Sequence, residues 1–86
     1  MLKGAAGREL ARAEEVFDKI RVKKIKKAQE FHEFALNYFK DGQHFFKKGK
    51  YLEAFEAAVI AWAYIDAGLK LEFFKVPKEL KDWFTA

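Results

Sequence analysis

The chain has 86 residues and a net charge of +4, and its 51% apolar and 17% aromatic content is enough for one small domain with a dense core. It has no cysteine, which excludes disulfides, thiolate nucleophiles and cysteine metal sites. It also has no serine, and Thr85 is its one threonine, so the usual hydroxyl nucleophiles are nearly absent and we expect neither an enzyme nor a cofactor.

A first helix is predicted over residues 6–22 by an apolar stripe at helical spacing. The next positions of that stripe are Lys24 and Lys27, so the stripe ends and we place a turn near residues 22–24. One uninterrupted helix over residues 8–48 is the alternative, and it would need a partner chain to cover it. The residues of the stripe are Ala6, Leu10, Ala13, Val16, Phe17 and Ile20.

The second helix, predicted over residues 24–48, has the clearest amphipathic pattern in the chain. Its apolar residues fill about half of the helical wheel, and an arc this wide predicts contact with two neighbouring helices rather than one. The sequence therefore favours a bundle. The arc consists of Ile25, Ala28, Phe31, Phe34, Ala35, Leu36, Tyr38, Phe39, Phe45 and Phe46.

Gly49 separates the second helix from the third, because glycine suits the left-handed position that ends a helix. The third helix is predicted over residues 51–73 and is apolar nearly all round, which favours the most buried place in the bundle. Gly68 lies inside this helix, where glycine destabilises relative to alanine, so we expect another helix to approach closely there. Pro77 then begins a short helix over residues 77–84.

These elements together predict an all-α fold, an antiparallel three-helix bundle with a short C-terminal helix, in a single domain over residues 1–86. Residues 1–8 lack the apolar run of a signal peptide, and the longest apolar run, residues 57–65, is far shorter than the roughly 20 residues that span a bilayer. We therefore expect a soluble, cytoplasmic protein. Abundant Lys and Glu with little Asn, Gln, Met and Cys is typical of a thermophile.

The hairpin around Gly49 resembles one tetratricopeptide repeat, since both have small residues on the two helices and a glycine at the turn. There is one copy only, and such a pattern is typical of any tight pair of helices.

A second and closer resemblance is to an archaeal family known as domain of unknown function 357 (DUF357), and it covers residues 9–76. The segments that carry it are residues 38–42, 46–54 and 61–69, of which Asp66-Ala67-Gly68 is the most distinctive. The resemblance implies a three-helix bundle and an archaeal cytosolic source. It implies no activity, cofactor or catalytic residue.

Six basic residues lie within nine positions around the first turn, and no acidic residue lies among them. One hypothesis is that this turn binds a nucleic acid or another acidic surface weakly and without sequence preference. The alternative is that a turn between helices simply keeps its cations in water. The residues are Lys19, Arg21, Lys23, Lys24, Lys26 and Lys27.

Asp66 lies at the edge of an apolar arc and His32 lies on the apolar side of its helix near Leu36 and Phe39, so both are predicted to be semi-buried. A desolvated carboxylate needs a partner, and we favour a structural role for Asp66 over a role as a binding-pocket acid. His32 is predicted to pack among apolar neighbours rather than to bind a metal. His44 lies about 18 Å further along the same helix, so the two histidines do not share a metal and we expect no metal site.

Four aromatic residues cluster around Pro77 near the C-terminus. If they are exposed, they form the kind of apolar patch that marks a protein interface. If the last turn folds back over the open end of the bundle, they cap the core instead. The residues are Phe73, Phe74, Trp83 and Phe84.

The sequence thus predicts a non-enzymatic protein–protein interaction or assembly domain, with a homodimer as one form of it. The interface would be the aromatic C-terminal end and the edge of the third helix. The alternative is the weak nucleic-acid or acidic-surface binding described above, through the Lys19–Lys27 turn. No membrane, metal or cofactor partner is expected.

Overall fold

Four helices and two short strands make up residues 1–84, the part of the chain that the computed structural model of the protein describes. The helices are α1 (Leu2–Lys19), α2 (Lys26–Lys47), α3 (Tyr51–Lys70) and α4 (Lys78–Lys81). The strands are β1 (Arg21–Val22) and β2 (Phe74–Lys75). The first three helices are long and pack on one another, so the prediction of an all-α fold is confirmed, with the strands as a small addition.

The first turn is longer than predicted and extends on both sides of residues 22–24. α1 begins at Leu2 rather than near residue 6 and ends at Lys19, after which Ile20 has extended backbone with φ −68° and ψ 140°. α2 begins at Lys26. The alternative of one helix over residues 8–48 is therefore wrong.

A two-stranded antiparallel ribbon joins the first turn to the segment after α3, and no strand was predicted there. Arg21 pairs with Lys75, and Val22 pairs with Phe74. The backbone N–H of Lys23 also donates a hydrogen bond to the carbonyl of Phe73, with an N···O distance of 2.8 Å. Strands of two residues have no visible alternation, so sequence periodicity could not reveal them.

The ribbon explains why α3 ends at Lys70 and not near residue 73 as predicted. Glu72 has a positive φ of 61°, which turns the chain out of the helix, and the N–H of Phe73 donates to the carbonyl of Gly68 at 2.8 Å. α4 is likewise shorter than the predicted 77–84: Pro77 precedes it, and Leu80, which is 1% exposed, docks it on the bundle.

The turn between α2 and α3 forms as predicted. Gly49 has φ 77°, in the left-handed region that glycine adopts without strain. The N–H of Gly49 donates to the carbonyl of Phe46 at 3.0 Å, and the N–H of Lys50 donates to the carbonyl of Phe45 at 2.9 Å. These bonds satisfy carbonyls at the end of α2, so a short connection sets α2 and α3 side by side in opposite directions.

The core of the described chain has two clusters with different composition. The cluster toward the Gly49 turn is rich in alanine, which lets three helices approach closely; its buried members are Ala6, Leu10, Ala13, Phe39, Ala54, Ala58 and Ala61. The cluster under the ribbon has larger side chains; its buried members are Val16, Ala35, Ile65, Phe74, Val76 and Leu80.

Two glycines serve these clusters in different ways. At Gly42, a Cβ would lie 2.9 Å from Cδ2 of Leu10 and 3.3 Å from the carbonyl oxygen of Ala54, so three helices meet there. At Gly68, a Cβ would overlap the ring of Phe74. The prediction that another helix approaches Gly68 is wrong, because the ring of a β2 residue fills that space.

Candidate functional site

The C-terminal aromatic residues form no single exposed patch. Phe74 is 2% exposed and belongs to the core, and Phe73 is half-buried against Phe31 with 5.3 Å between ring centroids. Trp83 and Phe84 are half-buried because their rings lie 6.4 Å and 4.8 Å from that of Trp62. The last turn thus folds back onto the bundle, and Phe74 is removed from the predicted interface.

Arg12 lies at the centre of this C-terminal packing, and no local pattern in the sequence indicated it. Its guanidinium carbon lies 5.3 Å from the Trp62 ring centroid and 4.9 Å from that of Trp83, within the range of cation–π attraction. Glu9 forms an ion pair with Arg12 at 3.7 Å. These two residues line a cleft of about 300 Å³ together with Trp62, Trp83 and Asp66. The chain's own cation therefore occupies the aromatic part of this cleft.

Asp66 and His32 are half-buried, in agreement with the sequence, and they lie in different surroundings. Asp66 forms an ion pair with Lys70, one helical turn away, at 3.6 Å. His32 packs edge-on against Phe17 and Phe74, with centroid distances of 5.8 Å and 6.2 Å. Burial lowers the pKa of the His32 imidazole below its ordinary value of 6.5, which favours the neutral ring. His32 does not line the cleft that contains Asp66.

All six residues of the predicted basic turn are exposed. Lys19 forms ion pairs with Glu15 at 3.3 Å and Glu79 at 3.7 Å, and within residues 1–84 the other five have no acidic partner. The six are Lys19, Arg21, Lys23, Lys24, Lys26 and Lys27.

The ribbon adds a further cation to this group, because its register places Lys75 directly across from Arg21. Like charges facing each other across two strands destabilise the pairing. A cleft of about 400 Å³ lies beside the pair; it is lined by Arg21, Val22, Lys23, Glu72, Phe73 and Lys75, and we call it the basic cleft.

A second surface lies between α2 and α3, and we call it the outer face: Phe31, Phe34, Tyr38, Ile60 and Tyr64. The Phe34 and Tyr38 rings stack on Tyr64 at 5.5 Å and 5.9 Å, and the Phe31 ring meets it edge-on at 6.0 Å. Phe34 is nevertheless 51% exposed and Ile60 39% exposed. The rings hold one another in place, yet they offer apolar area to solvent.

The outer face was missed because the wide apolar arc of α2 was assigned to two neighbouring helices. α2 packs mainly on α3 and only slightly on α1, so the Phe34 and Tyr38 side of the arc remains open. Tyr64 likewise lies about 160° around α3 from Trp62, the residue that meets Arg12 of α1. The wide apolar arc of α2 was visible in the sequence, but part of it forms an exposed face rather than a contact with a second helix.

The two ends of the outer face differ in charge. At one end, Phe31 contacts Phe73, which lines the basic cleft. At the other end, Tyr38 and Ile60 line a groove of about 300 Å³ together with three acids, Asp41, Glu53 and Glu56; we call it the acidic groove. A strip of aromatic surface therefore runs from a cationic end to an anionic end.

Residues 1–84 contain no group of three or more His, Cys, Asp or Glu side chains arranged to hold a metal ion. Over the same residues, no helix combines the length and the apolar character needed to cross a bilayer.

Comparison with known proteins gives one family and one similar fold. The family model described as Protein of unknown function (DUF357) matches residues 8–74, which confirms the resemblance seen in the sequence. The crystal structure of a DUF357 protein from Archaeoglobus fulgidus is similar, with a TM-score of 0.77 and 28% sequence identity. The match covers 88% of this chain and 93% of that one. No protein with curated annotation is significantly similar.

Proposed function

We propose that this chain, which belongs to the DUF357 family of proteins of unknown function, is a protein-binding module that docks through its outer face. The observation that carries the proposal is the exposure of Phe34, which is half in solvent although its ring is stacked on Tyr64. A free-standing core has no need of an aromatic ring at that position.

Aromatic rings are well suited to binding a protein partner. Each square ångström of apolar surface removed from water contributes about 25 cal/mol, and aromatic residues are enriched at protein interfaces. The stacked rings of Phe34, Tyr38 and Tyr64 already hold one arrangement, so docking would cost little side-chain entropy. By contrast, exposed Leu52 and Val59 are aliphatic, and such exposed apolar residues are common on monomers.

The test is site-specific photo-crosslinking in extract of the organism that encodes the protein. A photoreactive phenylalanine analogue replaces Phe34 in one sample and Val59, which is 45% exposed, in a matched control. We expect a protein adduct, either to a second copy or to another protein, from position 34 that position 59 does not give. Equal adducts from both positions, or none from position 34, would contradict the proposal.

We infer a second candidate function, binding of a polyanion such as RNA by the basic turn and Lys75. It is supported by Arg21 and Lys75, whose like charges lie on directly opposite positions of the ribbon and therefore destabilise it. Within residues 1–84, no ion pair joins either of them to an acid. Cations kept close together in this way release counterions when they meet a phosphate backbone.

Charge reversal tests this second candidate. The triple variant Lys24→Glu, Lys26→Glu, Lys27→Glu should lower RNA retention at least about tenfold at low salt. Reversal of Lys40, Lys47 and Lys48, which are exposed elsewhere on α2 and its end, is the matched control and should lower it less. Equal losses from both triples would indicate only the net charge of the protein and would remove the candidate.

A further inference from the structure

The outer face has a property that selects its partner: its charge reverses from one end to the other. The basic cleft has three cations, Arg21, Lys23 and Lys75, and one acid, Glu72. The acidic groove has three acids and no cation among its lining residues. Phe73, Phe31, Tyr64 and Tyr38 connect the two ends through ring contacts of about 5 to 6 Å.

We propose that the outer face binds a second copy of this chain, related to the first by a two-fold axis through the aromatic strip. The inference rests on the proposed function, because it names the partner of that same face. When that axis lies in the interface and crosses the strip at a right angle, the same patch meets itself in reverse. The basic cleft of each copy then lies against the acidic groove of the other, and the two aromatic strips meet at the centre.

Electrostatics selects this orientation over the alternative. If the two faces docked in the same direction, cations would oppose cations and acids would oppose acids, which costs several kcal/mol in a typical interface. The reversed orientation makes two equivalent sets of opposite-charge contacts around an apolar centre. This is the usual arrangement of an interface, with a desolvated centre and a polar rim. The like-charge Arg21–Lys75 pair also gains acidic neighbours there, since the partner's groove supplies them.

The association state of the wild-type chain is the first measurement. Sedimentation velocity should give a concentration-dependent rise from 10.1 kDa toward twice that mass. Phe34→Glu should shift the dissociation constant upward about 100-fold, because it places a charge in the apolar centre. Val59→Glu, on another side of α3, should leave it unchanged.

Charge reversal then tests the orientation. Glu53→Lys/Glu56→Lys makes both ends of the face basic, and Lys23→Glu/Lys75→Glu makes both ends acidic. Each double variant should lose self-association about tenfold or more. An equimolar mixture of the two should associate again, because both contacts in the mixed pair then join opposite charges. Glu14→Lys/Glu33→Lys, with exposed acids outside the face, is the charge-matched control and should dimerise as the wild type does.

A mass that stays at 10.1 kDa up to about 1 mM would overturn the homodimer, since a dissociation constant weaker than that corresponds to less than about 4 kcal/mol. A dimer that persists in both double variants, or a mixture that does not re-associate, would overturn this orientation. The proposed function fails separately. A photo-crosslink from position 34 to a different protein, together with a mass that stays at 10.1 kDa, keeps the docking face and excludes the second copy, whereas no crosslink removes both. Circular dichroism of each variant confirms that it is folded.

Discussion

At the Gly49 end of the bundle, α2 passes into α3 through a few residues whose backbone hydrogen bonds are all local, and the helices beneath meet through alanines. At the other end, residues far apart in sequence meet, because β1 pairs with β2 and Leu80 of α4 packs in the same buried cluster as Val16. The Phe74 ring there also covers Gly68. The first end depends on backbone conformation and small side chains. The second depends on large side chains and on closing long loops, so its stability is spread over segments that have few contacts of their own.

The largest effect should come from removing the residue that seals the ribbon end. Leu80 is 1% exposed although α4 has only four residues, so Leu80→Ala should lower the free energy of unfolding by about 2–4 kcal/mol. Leu52→Ala, at a position 52% exposed, is the control and should change it by less than about 0.5 kcal/mol. Chemical denaturation measures both. Equal, small effects would mean that α4 does not contribute to the ribbon end.

A second pair of variants compares the two glycines against which other residues pack closely, Gly68 and Gly42. Gly68→Ala forces the Phe74 ring to move and should lower the free energy of unfolding by about 1–3 kcal/mol, despite the better helix propensity of alanine. Gly42→Ala should cost less, about 1 kcal/mol, because the closest atom is the flexible end of the Leu10 side chain at 2.9 Å, and the Ala54 carbonyl oxygen at 3.3 Å has only a small distance to move. Thermal unfolding ranks them. A larger loss at Gly42 would reverse the comparison between the ends.

The same contrast explains what the sequence could predict. The Gly49 turn and the amphipathic helices depend on local backbone preferences and spacing, which are visible in the sequence. The ribbon depends on pairing across about fifty residues, and neither strand has a periodic pattern, so the sequence does not reveal it. For the same reason, the predicted third helix extends past Lys70, where α3 ends.

The candidate site was missed for a related reason. Periodicity correctly identified Phe34 and Tyr38 as members of one apolar arc, but it does not tell which part of an arc a neighbour covers. That depends on where α1 lies, which follows from tertiary packing. The Arg12 contacts with Trp62 and Trp83 likewise join residues from distant segments and leave no local pattern.

A smaller effect should come from the two left-handed residues, one near each end. Gly49 has φ 77° and no atom within 4 Å of an added Cβ, so Gly49→Ala should lose about 1 kcal/mol through backbone strain alone. Glu72 has φ 61° with a side chain, so Glu72→Gly should gain about 1 kcal/mol. Glu72→Ala separates the loss of the carboxylate from the relief of strain, and it should gain little. Denaturant midpoints measure all three, and a loss of stability in Glu72→Gly would contradict the strain argument.

The smallest effect concerns pH and belongs to the ribbon end alone. Burial against Phe17 and Phe74 lowers the pKa of His32 in the folded chain. In the unfolded chain the same imidazole binds a proton near its ordinary pKa of 6.5. Below about pH 6.5 the unfolded state therefore binds more protons than the folded state, so the free energy of unfolding decreases as the pH falls. Above that pH the stabilising contribution of the neutral ring is fully present. The slope of denaturant midpoint against pH between about 5 and 8 should be shallower in His32→Gln than in the wild type. His44→Gln, at an exposed position of the same helix, should keep the wild-type slope. Both variants lose one imidazole, so the difference between their slopes measures the effect of burying His32. Equal slopes would mean that the ribbon end does not desolvate His32.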